Sequence, residues 1–178
     1  MLPPKFNLNN LDDEIRDLVI NINRIPGVYT DTTCEGHVWK ECSVWPAKDG
    51  WIHLNIPKGK YENLIPNLNQ FFFSHPNFEL THHEYTHDKD LPIHYMIGAN
   101  LPQHHFEGKD LYSMFTTELQ EDYIRYCEEW KRTKINPGWK RLNYLVIDYI
   151  KLNVTKDLNS LPFIEEGEAP RPFMMCRA

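Results

Sequence analysis

A chain of 178 residues suits one domain, or one domain with an appended helical segment, and can bury an ordinary core. With 41% hydrophobic and 13% aromatic residues it is expected to fold, and a net charge of −6 argues against a non-specific nucleic-acid binder. No apolar run approaches the ~20 residues of a membrane helix, Met1-Leu2-Pro3-Pro4-Lys5 lacks a signal-peptide core, and the four cysteines form no CxxC pair, so a cytoplasmic protein with reduced thiols and no membrane partner is expected.

Residues 1–9 read as an irregular lead-in. Asn10 can cap a helix, with Asp12, Asp13 and Glu14 in the first turn where the helix dipole favours anions. Leu11, Ile15, Leu18, Val19 and Ile22 then mark one buried face. Pro26-Gly27 ends that helix, and Val28 to Thr33 reads as a strand running into Cys34-Glu35-Gly36-His37. Residues 38–50 suggest a loop or ragged hairpin arm. Trp51 to Ile56 alternates, with Ile52, Leu54 and Ile56 on one face and Trp51, His53 and Asn55 on the other. A second helix spans Tyr61 to Ser74, with Pro66 confined to its first turn. Phe78 to Thr86 and Ile93 to Asn100 read as strands joined by a turn at His87-Asp88-Lys89-Asp90.

Each round is helix, Pro, strand, connection, strand, and Ile52-His53-Leu54-Asn55-Ile56 matches Ile93-His94-Tyr95-Met96-Ile97 in place. The expected fold class is α+β: tandem αββ units forming a mostly antiparallel sheet with helices on one face, over residues 1–105. Residues 106–178 form a helical extension and irregular tail packed on that core. A long helix from Asp110 to about Arg132 has Leu111, Phe115, Leu119, Tyr123, Tyr126 and Trp130 as its apolar stripe. Asn136-Pro137-Gly138 is expected to break it before a last helix over Trp139 to Leu152.

The densest chemistry lies in Thr30-Asp31-Thr32-Thr33-Cys34-Glu35-Gly36-His37. A strand ending in a glycine-bearing turn can expose amides which, with the threonine hydroxyls, bind a phosphate or carboxylate. A thiol three residues before an imidazole can ligate zinc or act as a nucleophile–base pair. It can equally be a plain strand end, with Cys34 as a small buried hydrophobe and His37 closing a loop.

The run Asp12-Asp13-Glu14-Ile15-Arg16-Asp17-Leu18-Val19, then Ile22-Asn23, Pro26, Thr30 to Gly36, and Asp49-Gly50-Trp51 resembles the N-terminal segment of the wybutosine-synthesising tRNA methyltransferase family. The likeness covers roughly the first 55 residues. Thr32-Thr33 stand where that family has a Ser pair, Glu35 where it has Ser, and His37 where it has Arg. The resemblance implies S-adenosylmethionine as cofactor, a nucleotide-type ligand at this corner, and RNA as partner. Cys34 and His37 are then the candidate catalytic residues, with Thr32, Thr33, Glu35 and Gly36 contacting the ligand. A non-catalytic small-molecule or nucleotide-binding module on the same framework is the alternative.

Other clusters have two readings each. His53 and His94 occupy matching strand positions, so they can share a cleft as base and acid of a phosphodiesterase, or lie on the solvated face of a sheet. His82-His83-Glu84-Tyr85-Thr86-His87 and His104-His105 can bind metal or be polar edge and loop residues. Glu118, Glu121, Asp122, Glu128 and Glu129 read as a solvated helix face. Trp130-Lys131-Arg132, Lys134 and Trp139-Lys140-Arg141 can meet a phosphate backbone and stack a base, or simply complement helix ends.

Overall fold

The computed structural model describes residues 11–38, 47–61, 63–83, 92–102 and 117–161, without the side chains of residues 83 and 117–120. Helix α1 (Asp13–Asn23) is followed by strand β1 (Tyr29–Cys34), the short strands β2 (His37–Val38) and β3 (Ala47–Lys48), and β4 (Gly50–Ile56). The second unit is α2 (Leu64–Ser74), β5 (Phe78–His83) and β6 (Ile93–Ala99). Four strands pair antiparallel in the order β1-β4-β6-β5, and β2 and β3 form a separate two-stranded sheet. The fold is α+β, as the tandem reading requires.

The register expresses the repeat. Ile52 pairs with Ile97, His53 with Met96, Leu54 with Tyr95, Asn55 with His94 and Ile56 with Ile93. These pairs are symmetric about Leu54–Tyr95, so a pseudo-two-fold runs between the central strands. Alternation along β4 buries Ile52, Leu54 and Ile56 toward the helices and turns Trp51, His53 and Asn55 to the other face.

Ile15, Leu18, Val19 and Ile22 of α1 are all buried in the core. The end of α1 is tied to β1 by Asn23, whose Nδ2 donates to Val19 O and Thr30 Oγ1 at 2.8 Å and whose Oδ1 accepts from the Thr30 amide at 3.1 Å. Residues Asp31 and Thr32 stand together opposite His53, because the β1–β4 register shifts by one between Thr30 and Thr33. This bulge pairs Cys34 with Trp51 rather than Gly50.

The C-terminal segment departs from expectation. Helix α3 (Thr117–Trp130) does not break at Asn136-Pro137-Gly138. It passes through a π-helical turn (Lys131–Ile135) straight into α4 (Asn136–Asn153). Pro137 falls in the first turn of α4, where its missing N–H costs little. Gly138 is a packing glycine: a Cβ there would lie well inside contact distance of the Phe78 ring. Next to it, Trp139 is fully buried and meets Phe78 edge-on at 4.9 Å. Helix α4 packs on both α1 and α2, and Leu142, Val146, Tyr149 and Ile150 join the same core as the sheet. On α3, Tyr123, Ile124 and Cys127 are buried, while Tyr126, expected in the apolar stripe, is 37% exposed. Asp110, Leu111 and Phe115 lie outside the described residues, as does the side chain of Leu119. Among the described residues, no helix is long and apolar enough to cross a membrane.

Candidate functional site

Helix α1 begins after Asp12, not Asn10, which lies outside the described residues. An aspartate at this position ordinarily accepts a hydrogen bond from its own first turn. Asp12 makes no such bond. The Glu14 amide donates instead to Glu35 Oε2 at 3.1 Å, while the Glu35 amide donates to Asp12 Oδ2 at 2.9 Å. The two carboxylates have exchanged places: Glu35, from the corner, caps the helix, and Asp12, from the helix, faces the corner.

Glu35 is held from a third side. Lys131 Nζ, in the π-turn, lies 2.5 Å from Glu35 Oε1, with both side chains less than a fifth exposed. The Trp139 indole N–H donates to the Glu35 carbonyl at 3.3 Å, and Lys140 Nζ reaches Glu14 at 3.4 Å. Gly36 makes the turn itself possible. Its φ is +89°, a conformation that side-chain-bearing residues rarely adopt, and a Cβ would come within 3.1 Å of the Gly50 nitrogen and 3.2 Å of the Lys48 carbonyl, both backbone atoms.

The corner thus gathers Asp12, Cys34 and His37. One donor atom from each lies within 4.8 Å of the others. His37 Nε2 is 3.4 Å from Asp12 Oδ2, and both side chains are about a quarter exposed, at 25% and 27%. Cys34 is a buried thiol, 1% exposed, with no disulfide. Burial pushes against the charged form of Asp12. The hydrogen bonds from His37 and the Glu35 amide, with the charges of His37 and Lys131, outweigh it and hold the carboxyl below its usual range.

An open cleft of about 660 Å³ lies against this corner, between the start of α1, the β1–β2 turn and the π-turn. Its carboxylates are Asp12, Asp13, Glu14, Glu35 and Glu128. Against these five stand three permanent cations, Arg16, Lys131 and Arg132, and His37. Asn136 also lines the cleft, and its Oδ1 is buried and accepts no hydrogen bond from the described residues. The wall is therefore mixed in charge with an acidic excess.

Of the residues singled out by sequence, Glu35 and His37 line the cleft, and Cys34 and Gly36 are buried and do not line it. Thr32 and Thr33 do not line it; Thr32 is exposed and Thr33 half-buried on β1, and Thr30 is fully buried against Asn23. The position suited to an anion at the start of α1 is occupied by Glu35. His53 and His94 lie elsewhere, diagonal to one another on adjacent central strands and on the sheet face away from the helices. Asn55, directly opposite His94 and two residues along β4 from His53, is fully buried; its Nδ2 donates to Asp31 at 2.6 Å. His82 is exposed and stacks on Tyr95 at 5.0 Å. His87, His104, His105, Cys42 and Cys176 lie outside the described residues, as does the side chain of His83.

Sequence reasoning missed Asp12, Glu14 and Asn136 as members of this wall, and Lys131 as the partner of Glu35. Asp12 reads as an ordinary first-turn acid, and no local signal links Lys131 to a corner 96 residues away. The unused capping capacity of Asp12 was the one trace, and it becomes visible only in three dimensions. Comparisons with known protein families, curated proteins and solved structures find no match to this chain.

Proposed function

We propose that the cleft binds a small, positively charged or zwitterionic nucleoside-type ligand, with S-adenosylmethionine as the first to test. The observation that carries this reading is the wall of five carboxylates and three permanent cations around one open cleft. A bare phosphate is poorly suited to it, since the carboxylates repel anions and Glu35 already occupies the α1 amide and Lys131. Adenosylmethionine carries a cationic sulfonium and an α-ammonium, which suit carboxylates, and one carboxylate, which suits Arg16 or Arg132. The resemblance of the N-terminal segment to tRNA methyltransferases points to the same molecule. Cys34, 1% exposed behind the corner, is poorly placed to attack a ligand in the cleft, which favours a binding or positioning role over nucleophilic catalysis.

Isothermal titration of the full chain with adenosylmethionine and with its thioether product, which keeps the amino-acid zwitterion but lacks the sulfonium charge, each with and without RNA, tests the reading. Adenosylmethionine is expected to bind more tightly than the thioether, and the Asp13→Asn, Glu128→Gln double variant is expected to narrow that gap. Absence of heat under every condition, or tighter binding of a nucleoside triphosphate, would contradict it.

A second reading has one observation in its favour. His53 and His94 are diagonal neighbours on one sheet face, a separation of about 7–8 Å between positions that long side chains can bridge. That arrangement supports acid–base cleavage of a phosphodiester. Hydrolysis of a nucleoside 2′,3′-cyclic phosphate that is lost in both His53→Asn and His94→Asn supports it; no hydrolysis, or activity surviving either change, ends it.

A further inference from the structure

We infer that Asp12, Cys34 and His37 form a binding site for a zinc-class transition-metal ion at the back of the cleft. The inference deepens the cleft reading and rests on it for what lies on the metal's open side. Three observations converge.

The first is the donor set. A thiolate, an imidazole and a carboxylate match zinc and its neighbours, whereas magnesium and calcium demand oxygen ligands throughout. The second is spacing. Metal–nitrogen and metal–oxygen bonds of about 2.0–2.1 Å and a metal–sulfur bond of about 2.3 Å put tetrahedral ligand atoms about 3.3–3.6 Å apart. Asp12 Oδ2 and His37 Nε2 already stand 3.4 Å apart, and the whole triplet lies within 4.8 Å. Metal binding would shorten the longest gap, at most 4.8 Å, by about 1 Å.

The third is the exchange of carboxylates. Asp12 forgoes the capping bond its position offers, and Glu35 supplies the cap from across the corner. The Glu35 amide donates to the same Asp12 oxygen that faces His37, which holds the carboxylate toward the corner. A structure that needed Asp12 only for the helix would not turn it away.

Binding replaces protons by metal. The Cys34 Sγ–H bond breaks, its proton passes to solvent, and the sulfur lone pair forms the metal bond; His37 binds as neutral imidazole and Asp12 as carboxylate. Asp12 and His37 line the cleft and Cys34 is buried outside its lining, so a metal held by the three would lie against the cleft wall, where a fourth position can take water or a ligand. Three protein ligands and one exchangeable position is the pattern of a reactive rather than a closed structural site.

The test uses the untagged full chain, stripped with chelator and titrated with Co²⁺ under reducing conditions. A thiolate-to-cobalt charge-transfer band in the near ultraviolet is expected, saturating at about one ion per chain, with Zn²⁺ displacing it. Cys34→Ser should abolish the band, and His37→Gln should weaken binding at least about 100-fold, since removing even an outer-sphere partner costs 10–100-fold. Cys42→Ser and Cys176→Ser should leave the band intact. Circular dichroism checks that each variant folds; His37, a quarter exposed, gives the result independently of the buried Cys34. No band in the wild type, or a band that survives Cys34→Ser, overturns the inference. Adenosylmethionine calorimetry on the stripped protein separates the two claims. Ligand binding without a cobalt band sinks the metal site alone; a cobalt band without ligand binding sinks only the ligand assignment.

Discussion

Glu35 carries an unusual share of the corner for one residue. Its carboxylate caps α1, pairs with Lys131, and its main chain is held by Asp12 and Trp139. Replacing the carboxylate leaves Lys131 partly buried without its anion; the glutamine oxygen can still accept from the Glu14 amide, but the NH2 then faces Lys131. For Glu35→Gln we expect a loss of about 2 kcal/mol, below the ~3–5 kcal/mol of a fully buried pair because these side chains retain 14–17% exposure. Urea denaturation measures it, and a loss under about 0.5 kcal/mol would mean the pair is a solvated contact. Asp12 has a different signature. Its carboxyl is held below the ordinary value of 3.8, so the folded state prefers the charged form. That stabilisation is complete well above 3.8 and is lost as pH falls through the depressed folded value. In chelator, the stability gap between wild type and Asp12→Asn should be constant near neutral pH and shrink in acid. A gap that widens on acidification contradicts the assignment.

Among elements, α1 and the two hairpins were legible because each has a strong local period. Ile15, Leu18, Val19 and Ile22 recur at helical spacing, and Ile52, Leu54 and Ile56 at strand spacing. The α3–α4 passage was not, because Asn136-Pro137-Gly138 is a break signal in any local reading. Long-range contacts override it: Pro137 falls in a first turn, and Gly138 lets α4 press against Phe78. The π-turn that results brings Lys131 to Glu35, which is why the side of the cleft wall formed by Glu128, Lys131, Arg132 and Asn136 was invisible in the sequence. Gly138→Ala weighs two effects directly. Helix propensity favours alanine by about 1 kcal/mol, while overpacking costs about 1–3 kcal/mol. With three Phe78 ring atoms in the way, packing should win and the variant should lose about 1–2 kcal/mol. Adding Phe78→Leu should cost less in the Gly138→Ala background than in the wild type; additive losses would place the strain elsewhere.

For the molecule as a whole, the C-terminal helix is part of the core rather than an appendage. Trp139, Leu142, Val146 and Ile150 are fully buried with residues of α1, α2 and the sheet. Unfolding should therefore be a single transition by circular dichroism and tryptophan fluorescence alike, and Trp139→Ala should lower stability by about 3–5 kcal/mol in that one transition. Two separated transitions would mean that α4 and the αββ units fold independently. The same shared core places the corner, the start of α1 and the π-turn in one rigid frame, which a preorganised site requires.

The two functional readings rest on separate sets of residues, so a single map separates them. Backbone amide NMR of the full chain, titrated with adenosylmethionine and separately with Zn²⁺, locates the perturbed residues. The corner account predicts shifts gathered at residues 12–16, 34–38 and 128–136, with His53, Asn55 and His94 unmoved. Shifts centred on His53, Asn55 and His94, or no shifts with either titrant, would contradict it.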